Sequence, residues 1–283
     1  MKELTVLSLF DGIACGRVAL ERAGIPVKRY IASEIEPNAI KVAMSNYPDI
    51  EQIGDVTKID VNSLPEIDLL IGGSPCLGGS PCQGFSVMGK QQNFEDPRSR
   101  LFWEYVKILK ATKPKYFLLE NVKMKQEYSD IITEALGVEP RIINSRLVSG
   151  QNRVRAYWTN LDVGEIADKN ISFQDILESG YTNRDKSLCL LESENRLCIS
   201  SADLYRRNKT KSQGNIVFFS KDFDPEKGVR MLTQYEVERL QTLPNGYTRA
   251  VNRNIAAGLC GNGWTVDVIA HILSAIPEEG DSE

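Results

Sequence analysis

The sequence predicts an α/β fold in which a mostly parallel sheet is covered on both faces by helices. Short apolar runs of strand length alternate with helical patterns through the first 161 residues, the rhythm of a sheet with crossover helices. Several of these runs end on a glycine turn or an acid, the residue types that line a site at the carboxyl ends of parallel strands. A chain of 283 residues, 42% hydrophobic and 25% charged, can bury one large core with a smaller companion domain.

The elements follow in order. Leu4 to Phe10 reads as a strand and Arg17 to Ala23 as a helix stopped by Gly24. Tyr30 to Ser33 is a second strand, Pro37 to Asn46 a helix, and Gln52 to Gly54 a brief third strand. Ile67 to Ile71 is a buried strand, Leu101 to Ala111 a helix and Tyr116 to Leu119 a strand, with strand-like segments at Arg141 to Val148 and Arg155 to Leu161. From about Asp162 to Gly228 the rhythm breaks into a polar stretch, read as a small irregular domain or a long insertion. Regular patterning resumes at Met231. Thr233-Gln-Tyr-Glu236 is a capping box opening a helix to Gln241, with Pro244 beyond it. A last helix carries Val266, Ile269, Leu273 and Ile276 on one face.

Composition narrows the chemistry. The chain has one histidine, His271, and six cysteines at 15, 76, 82, 189, 198 and 260. A lone histidine inside the last helix speaks against a Ser-His-Asp triad and excludes clusters of histidine metal ligands; a structural or surface role suits it better. No Cys-x-x-Cys pair occurs, so no metal site is expected. No apolar run approaches the roughly 20 residues of a membrane span. The short apolar N-terminus reads as a buried strand rather than a signal peptide, which points to a cytoplasmic protein with reduced thiols. The net charge of −4 gives no global nucleic-acid signature. Locally, Arg141 to Asn160 holds four arginines and no acid, and Tyr205 to Asn215 holds Arg206, Arg207, Lys209 and Lys211 and no acid. Such patches bind phosphates or are merely solvated loops, and composition does not separate the two.

The first strand runs into Phe10-Asp11-Gly12-Ile13-Ala14-Cys15-Gly16, whose glycines allow a tight turn and close approach of a ligand to the backbone. The second ends in Glu34, about 20 residues on, where an acid can bind ribose hydroxyls. Gly54-Asp55-Val56 puts another acid at the end of the third strand, able to accept from an adenine amino group. Either acid alone is as readily a helix cap. Together with the loop they suit a nucleoside-type cofactor without a pyrophosphate.

The fourth strand leads into Gly72-Gly-Ser-Pro-Cys76-Leu-Gly-Gly-Ser-Pro-Cys82-Gln83-Gly-Phe-Ser86. A Pro-Cys there offers a thiolate at the mouth of the site. Glu120-Asn-Val closes the fifth strand with a carboxyl, and Gln151-Asn-Arg153-Val-Arg155 supplies alternate arginines that can share a face. A cysteine, a proton-donating glutamate and two arginines form a coherent set for attack on a heteroaromatic ring.

In this order, and with Arg230-x-Leu-Thr-x-x-Glu-x-x-Arg-Leu-Gln241 and Gly261-Asn262-Gly-Trp264 downstream, these segments resemble the DNA (cytosine-5)-methyltransferases. The resemblance covers most of the chain outside 162–228. Ser-Leu-Phe-Asp-Gly-Ile-Ala, Tyr-Ile-Ala-Ser-Glu and Gly-Gly-Ser-Pro-Cys are similar to the animal de novo branch; Pro-Cys-Gln-Gly-Phe-Ser and Gln-x-Arg-x-Arg are similar to bacterial and phage enzymes. It implies a Rossmann-like class I methyltransferase fold with a small target-recognition domain. It also implies S-adenosylmethionine as cofactor, and double-stranded DNA as partner with the target cytosine flipped out of the helix. By this resemblance the cysteine attacks C6, Glu120 engages N3 and the exocyclic amine, and Arg155 with Arg153 orients the base. C5 then takes the methyl group, and loss of its proton releases the cysteine. Phe10, Asp11, Gly12, Gly16, Glu34, Asp55, Val56, Asn262 and Trp264 fall at the cofactor, Trp264 as packing. Gln83 and Ser86 fall at the DNA, joined by Arg206, Arg207, Lys209 and Lys211 as phosphate contacts.

One feature departs from the family. Residues 72–77 and 78–83 differ only at the last position, Leu77 against Gln83, a six-residue tandem duplication that offers two candidates for one nucleophile. Cys82 has the matching downstream Gln-Gly-Phe-Ser, whereas Cys76 keeps the direct connection to the strand. A nucleophile needs placement to about 0.5 Å by rigid support, which leans toward Cys76 and leaves Cys82 open. The expected organisation is a catalytic domain from 1–161 and 245–283, with 162–244 as the target-recognition region. Two rivals stand beside it: a DNA-binding or regulatory homologue impaired by the duplication, and a tRNA cytosine-5 methyltransferase. The resemblance leaves a cognate restriction enzyme open as a further partner.

Overall fold

The computed structural model describes residues 2–73, 97–195, 200–211 and 214–277. Its first part comprises β1 (Leu4–Leu9), α1 (Cys15–Arg22), β2 (Val27–Ser33), α2 (Pro37–Asn46), β3 (Glu51–Gln52), β4 (Leu69–Gly73), α3 (Pro97–Thr112), β5 (Tyr116–Val122), α4 (Gln126–Leu136), β6 (Arg141–Asn144) and β7 (Val154–Thr159). The strands form one sheet in the order β3-β2-β1-β4-β5-β7-β6. All neighbours run parallel except β7, which is antiparallel to both β5 and β6.

The apolar runs explain the layering. Successive strand residues point to opposite faces. Val6, Leu69, Ile71 and Leu118 therefore enter one core, while Leu7, Leu70, Phe117 and Leu119 enter the other. The first core is shared with α1, α2 and the C-terminal helices, the second with Phe102 and Tyr105 of α3 and Ile132 of α4. Chain order reverses between β1 and β4, the switch point outside which α/β sheets bind ligands.

Local chemistry accounts for most boundaries. α2 starts at the predicted Pro37, with Glu36 capping its first turn. α1 begins at Cys15, two residues before the predicted start, because the chain turns through a left-handed Ala14 straight into the helix. The segment predicted as a strand to Val148 leaves the sheet at Asn144, whose side chain caps a 3-10 turn at Ser145–Leu147. α4 was not predicted: its N-cap, Lys125, makes no side-chain cap bond, so the usual start signal is missing.

The second part adds α5 (Phe173–Ile176), α6 (Ser201–Lys211), β8 (Ile216–Phe218), β9 (Val229–Met231), α7 (Gln234–Leu240), α8 (Arg253–Asn262) and α9 (Val266–Leu273). The stretch read as irregular thus contains two helices, α5 and α6, and the strand β8, which pairs antiparallel with β9 just beyond it. Leu204, Ile216, Phe218 and Val229 form a small core of their own there, whereas Val163, Phe173, Ile176 and Leu190 join the first main core. The capping box forms as predicted, with Thr233 and Glu236 bonding each other's backbone at the start of α7. Among the described residues no helix is long and apolar enough to cross a membrane.

Candidate active site

The loop after β1 is held in an unusual backbone conformation. Phe10, Gly12 and Ala14 have φ of 56°, 60° and 60°, so two residues with side chains occupy the left-handed region within five positions. Each costs on the order of 1–3 kcal/mol, strain that persists only where the surroundings impose it. The surroundings are visible. Asp11 N–H donates to Ser33 O at 3.2 Å, and Gly12 N–H donates to Glu34 Oε2 at 2.7 Å. Glu34 Oε1 accepts from Ile35 N at 2.8 Å and Glu36 N at 2.9 Å. The predicted ribose acid therefore also latches the glycine loop to the end of β2.

Asp11 points inward. Its Oδ1 accepts from Ser8 Oγ at 2.6 Å and from the Tyr30 hydroxyl at 2.7 Å. Its Oδ2 is buried with no partner among the described residues. Burial pushes this carboxyl up to about 7, against the two hydroxyl donors and with help from the Glu34 charge. Gly16 is buried too: a methyl there would lie 2.4 Å from Ile71 Cδ1, 2.9 Å from Tyr30 OH and 3.5 Å from Trp264 Cζ3. It lets α1 sit directly on the sheet. Asp55 caps a 3-10 turn at Val56–Lys58, its Oδ1 accepting from Thr57 N at 2.9 Å, and Val56 is buried beneath it. Asn262, the last residue of α8, is exposed.

The acid predicted at the end of β5 stands at the junction of four segments. Glu120 pairs in register with Gly73, the last residue of β4, on one side and with Tyr157 of β7 on the other. Arg155 Nε lies 3.0 Å from Glu120 Oε1, and Trp264 Nε1 donates to Glu120 Oε2 at 3.2 Å. Both carboxylate oxygens thus have a cationic or N–H neighbour, and Glu120 is only 8% exposed. Burial works against the charge of Arg155, but Glu120 and the Cys189 sulfur beside it raise its pKa overall. Burial, then the Glu120 charge, pushes the Tyr157 phenol up.

The two predicted arginines part company. Arg155 meets Glu120. Arg153, just before β7 and 3% exposed, instead donates to Leu190 O at 3.0 Å, Gly261 O at 3.3 Å and Gly263 O at 2.9 Å. It gathers carbonyls from the end of α8 and from the segment before residue 191. Gln151, completely buried, extends this clasp by donating to Leu240 O at 3.0 Å and accepting from Leu190 N at 2.7 Å. The sequence places Gln151 in a motif but gives no sign of this role. Trp264, read as cofactor packing, reaches the acid, and only the fold reveals a contact across 144 residues.

Cys76, Cys82, Gln83 and Ser86 lie outside the described residues, as does Cys198. The described cysteines differ in environment. Burial pushes the Cys15 thiol up to about 12 and Cys260 well above its usual range, so both stay protonated at neutral pH. Cys189 is half-buried, with its sulfur 3.3 Å from Arg153 Nη1 and 3.8 Å from Arg155 Nη2. Of the basic cluster, Arg206 and Lys209 are exposed one turn apart on α6, and Arg207 is half-buried. Arg206 pairs with Asp203 on the same helix at 2.6 Å, and the Lys211 side chain falls outside the description. α6 rests on the small core through Leu204, separate from the Glu120 cluster.

The sequence profile described as C-5 cytosine-specific DNA methylase matches residues 4–177 and again 124–278. The chain belongs to this family. An orphan methyltransferase of Bacillus phage SPR, M.SPRI, is 37% identical over 197 residues, which is 64% of this chain and 44% of that protein. The type II methyltransferase M1.ScrFI of Lactococcus lactis subsp. cremoris is 29% identical over 313 aligned positions, covering 96% of this chain and 78% of the relative. This chain spans less than half the length of the phage relative it matches. Among solved structures, the Entamoeba histolytica methyltransferase EhMeth superposes with a TM-score of 0.75 at 17% identity, covering 97% of this chain and 98% of that one. The sheet and its flanking helices are the Rossmann-like methyltransferase fold.

Proposed function

We propose that this chain methylates C5 of cytosine in double-stranded DNA, with S-adenosylmethionine as the methyl donor. The observation that carries this reading is the setting of Glu120: beside the end of β4, from which the Pro-Cys segment departs, and bracketed by Arg155 and Trp264. That is a carboxyl on a rigid sheet, next to the strand end that precedes Cys76 and Cys82 in sequence, with donors on both oxygens.

The residues at the ends of β1, β2 and β3 fit the proposed donor. Asp11 leaves a buried oxygen without a partner among the described residues, and Glu34 keeps acceptor capacity beyond its three backbone donors. Ile35, directly after Glu34, is 70% exposed and offers an apolar face at the same edge. Phe10, Glu34, Asp55, Val56 and Asn262 would hold the group, and Gly12 sets the loop against it. When bound, S-adenosylmethionine supplies an electrophilic methyl group.

The chain's own residues do the rest. A cysteine thiolate adds to C6 of the flipped base and pushes an electron pair toward C5. Glu120 engages N3 and the exocyclic amine, stabilising that charge, and Arg155 holds the carboxylate in place. With that pair spent on the bond to the methyl, loss of the C5 proton to solvent re-forms the C5–C6 double bond and expels the cysteine as thiolate. Gly73 is the last residue of β4, with Cys76 three positions beyond and Cys82 nine, so the shorter tether favours Cys76. Residues 162–244 supply the target-recognition region, its exposed basic helix α6 contacting phosphates.

The test is transfer of labelled methyl from the cofactor to DNA and, separately, to tRNA. Transfer to cytosine in DNA supports the reading; transfer to tRNA alone, or DNA binding without transfer, overturns it. Cys76→Ser and Cys82→Ser are then compared for covalent trapping on DNA containing 5-fluorocytosine. Trapping that survives Cys76→Ser and is lost in Cys82→Ser assigns the nucleophile to Cys82.

A further inference from the structure

Trp264 touches two places that the sequence keeps far apart. Its indole N–H reaches Glu120 Oε2 at 3.2 Å, while the benzo edge of the same ring faces Gly16 of α1, where an added methyl would lie 3.5 Å from Cζ3. It is also fenced in at the catalytic end. A methyl added at Gly73 would lie 3.0 Å from Trp264 Nε1 and 3.5 Å from Glu120 Oε2. Trp264 is 9% exposed, so the ring has little freedom to leave this slot. Its backbone is fixed from behind: Arg153 donates to Gly263 O at 2.9 Å, and the Thr265 hydroxyl donates to Gln241 Oε1 at 2.9 Å.

From this arrangement we propose that Trp264 is a positioning residue for Glu120, aiming its carboxylate and tying it to the helix that follows the glycine loop. The inference rests on the methyltransferase reading. Arg155 occupies Oε1, so without Trp264 the carboxylate retains one anchor and can rotate about it. An N–H on Oε2 fixes the plane in which Glu120 meets the cytosine edge, and small errors in such aim are costly in rate. A ring that merely packed against the cofactor would need no donor directed at the acid.

The experiment is a double-mutant cycle on single-turnover methyl transfer to DNA, using Trp264→Phe, Glu120→Gln and the pair, with cofactor affinity measured separately by titration. Trp264→Phe keeps an aromatic ring and removes the N–H. The expected result is a loss of about tenfold or more in transfer rate, with cofactor affinity changed less than about threefold and no further loss in the Glu120→Gln background. Losses that multiply, or an affinity that falls as far as the rate, overturn the proposal, because both are what a purely structural or cofactor-packing role gives. If Trp264→Phe does not fold, Gly73→Ala carries the same cycle by crowding the Nε1–Oε2 contact from β4; its loss vanishes with Glu120→Gln if the proposal holds and persists if it does not. A native chain that transfers no methyl to DNA removes the function and the positioning role together, whereas an active native chain with additive losses removes only the latter.

Discussion

The hydroxyl of Tyr30 hydrogen-bonds to Oδ1 of Asp11 at 2.7 Å, tying the strained loop after β1 to the middle of β2. Ser8 donates to the same oxygen, and the other is buried with no partner among the described residues. Ionising this carboxyl therefore puts a charge in the interior with only two described donors to meet it.

A pH dependence of stability results. Burial raises the folded Asp11 from 3.8 to about 7. Between those values the folded chain keeps a proton that the unfolded chain has lost, so the contribution is fully present below pH 3.8 and is lost as pH rises through about 7. Asp11→Asn keeps an oxygen for both hydroxyls and removes the titration. It is expected to be more stable than the native chain at pH 8, by at most about 4 kcal/mol, with the difference shrinking toward zero at pH 4. Urea denaturation across that range is the measurement; a gap independent of pH would contradict the assignment.

Arg153 and Arg155 should separate stability from activity. Losing Arg153 removes a buried donor from the carbonyls of Leu190, Gly261 and Gly263, of which Gly263 O keeps Gln241 Nε2 at 3.2 Å. Arg153→Met is expected to cost about 3 kcal/mol or more, since each buried carbonyl left unpaired costs on the order of 1–3 kcal/mol. Arg155→Met should instead lower methyl transfer far more than it lowers the urea midpoint. Equal stability losses in the two variants would count against the division of roles.

Glu120→Gln should be a chemical lesion. The amide can still face Arg155 with its oxygen, but its NH2 then meets the Trp264 N–H, donor against donor. Methyl transfer should fall about 10²- to 10⁴-fold, the usual contribution of a positioned proton-transfer group. Fluorescence titration should still detect cofactor binding. Transfer within about threefold of the native rate would remove Glu120 from the chemistry.

On α6, Arg206 and Lys209 present two exposed cations one turn apart. Replacing both with alanine should weaken binding to all DNA sequences alike and reduce the slope of log affinity against log salt by about 2. Loss confined to one target sequence would indicate base reading rather than phosphate contact.

What the sequence disclosed follows the range of each signal. Pro37 at the first turn and the Thr233–Glu236 box are local devices, and both helices begin where those residues predict. The alternating apolar runs mark the strands, but a period of two carries no direction, so the reversal of β7 was illegible. α8 escaped notice because Gly258 and Gly261 sit within it and read as loop. α6 escaped because its apolar face is little more than Leu204, enough only for a core of four residues. At the site, residue chemistry groups Glu120 with both Arg153 and Arg155 as one set, and of the two arginines only Arg155 meets the acid. Arg153 shares the motif and parity of Arg155, yet its guanidinium finds three carbonyls contributed by segments 37 to 110 residues away. No local pattern encodes that.

The Trp264–Glu120 contact also sets an order in time. A ribosome adding about 5–20 residues per second makes Glu120 roughly 7–30 s before it makes Trp264, 144 residues later. During that interval the sheet can assemble through β5, yet the carboxylate has only one of its two fixed neighbours at most, and the clasp of Arg153 has no α8 to hold. The nascent chain thus carries Glu120 without its second fixed neighbour until Trp264 is made. Glu120 therefore takes its final orientation only after Trp264 has been made.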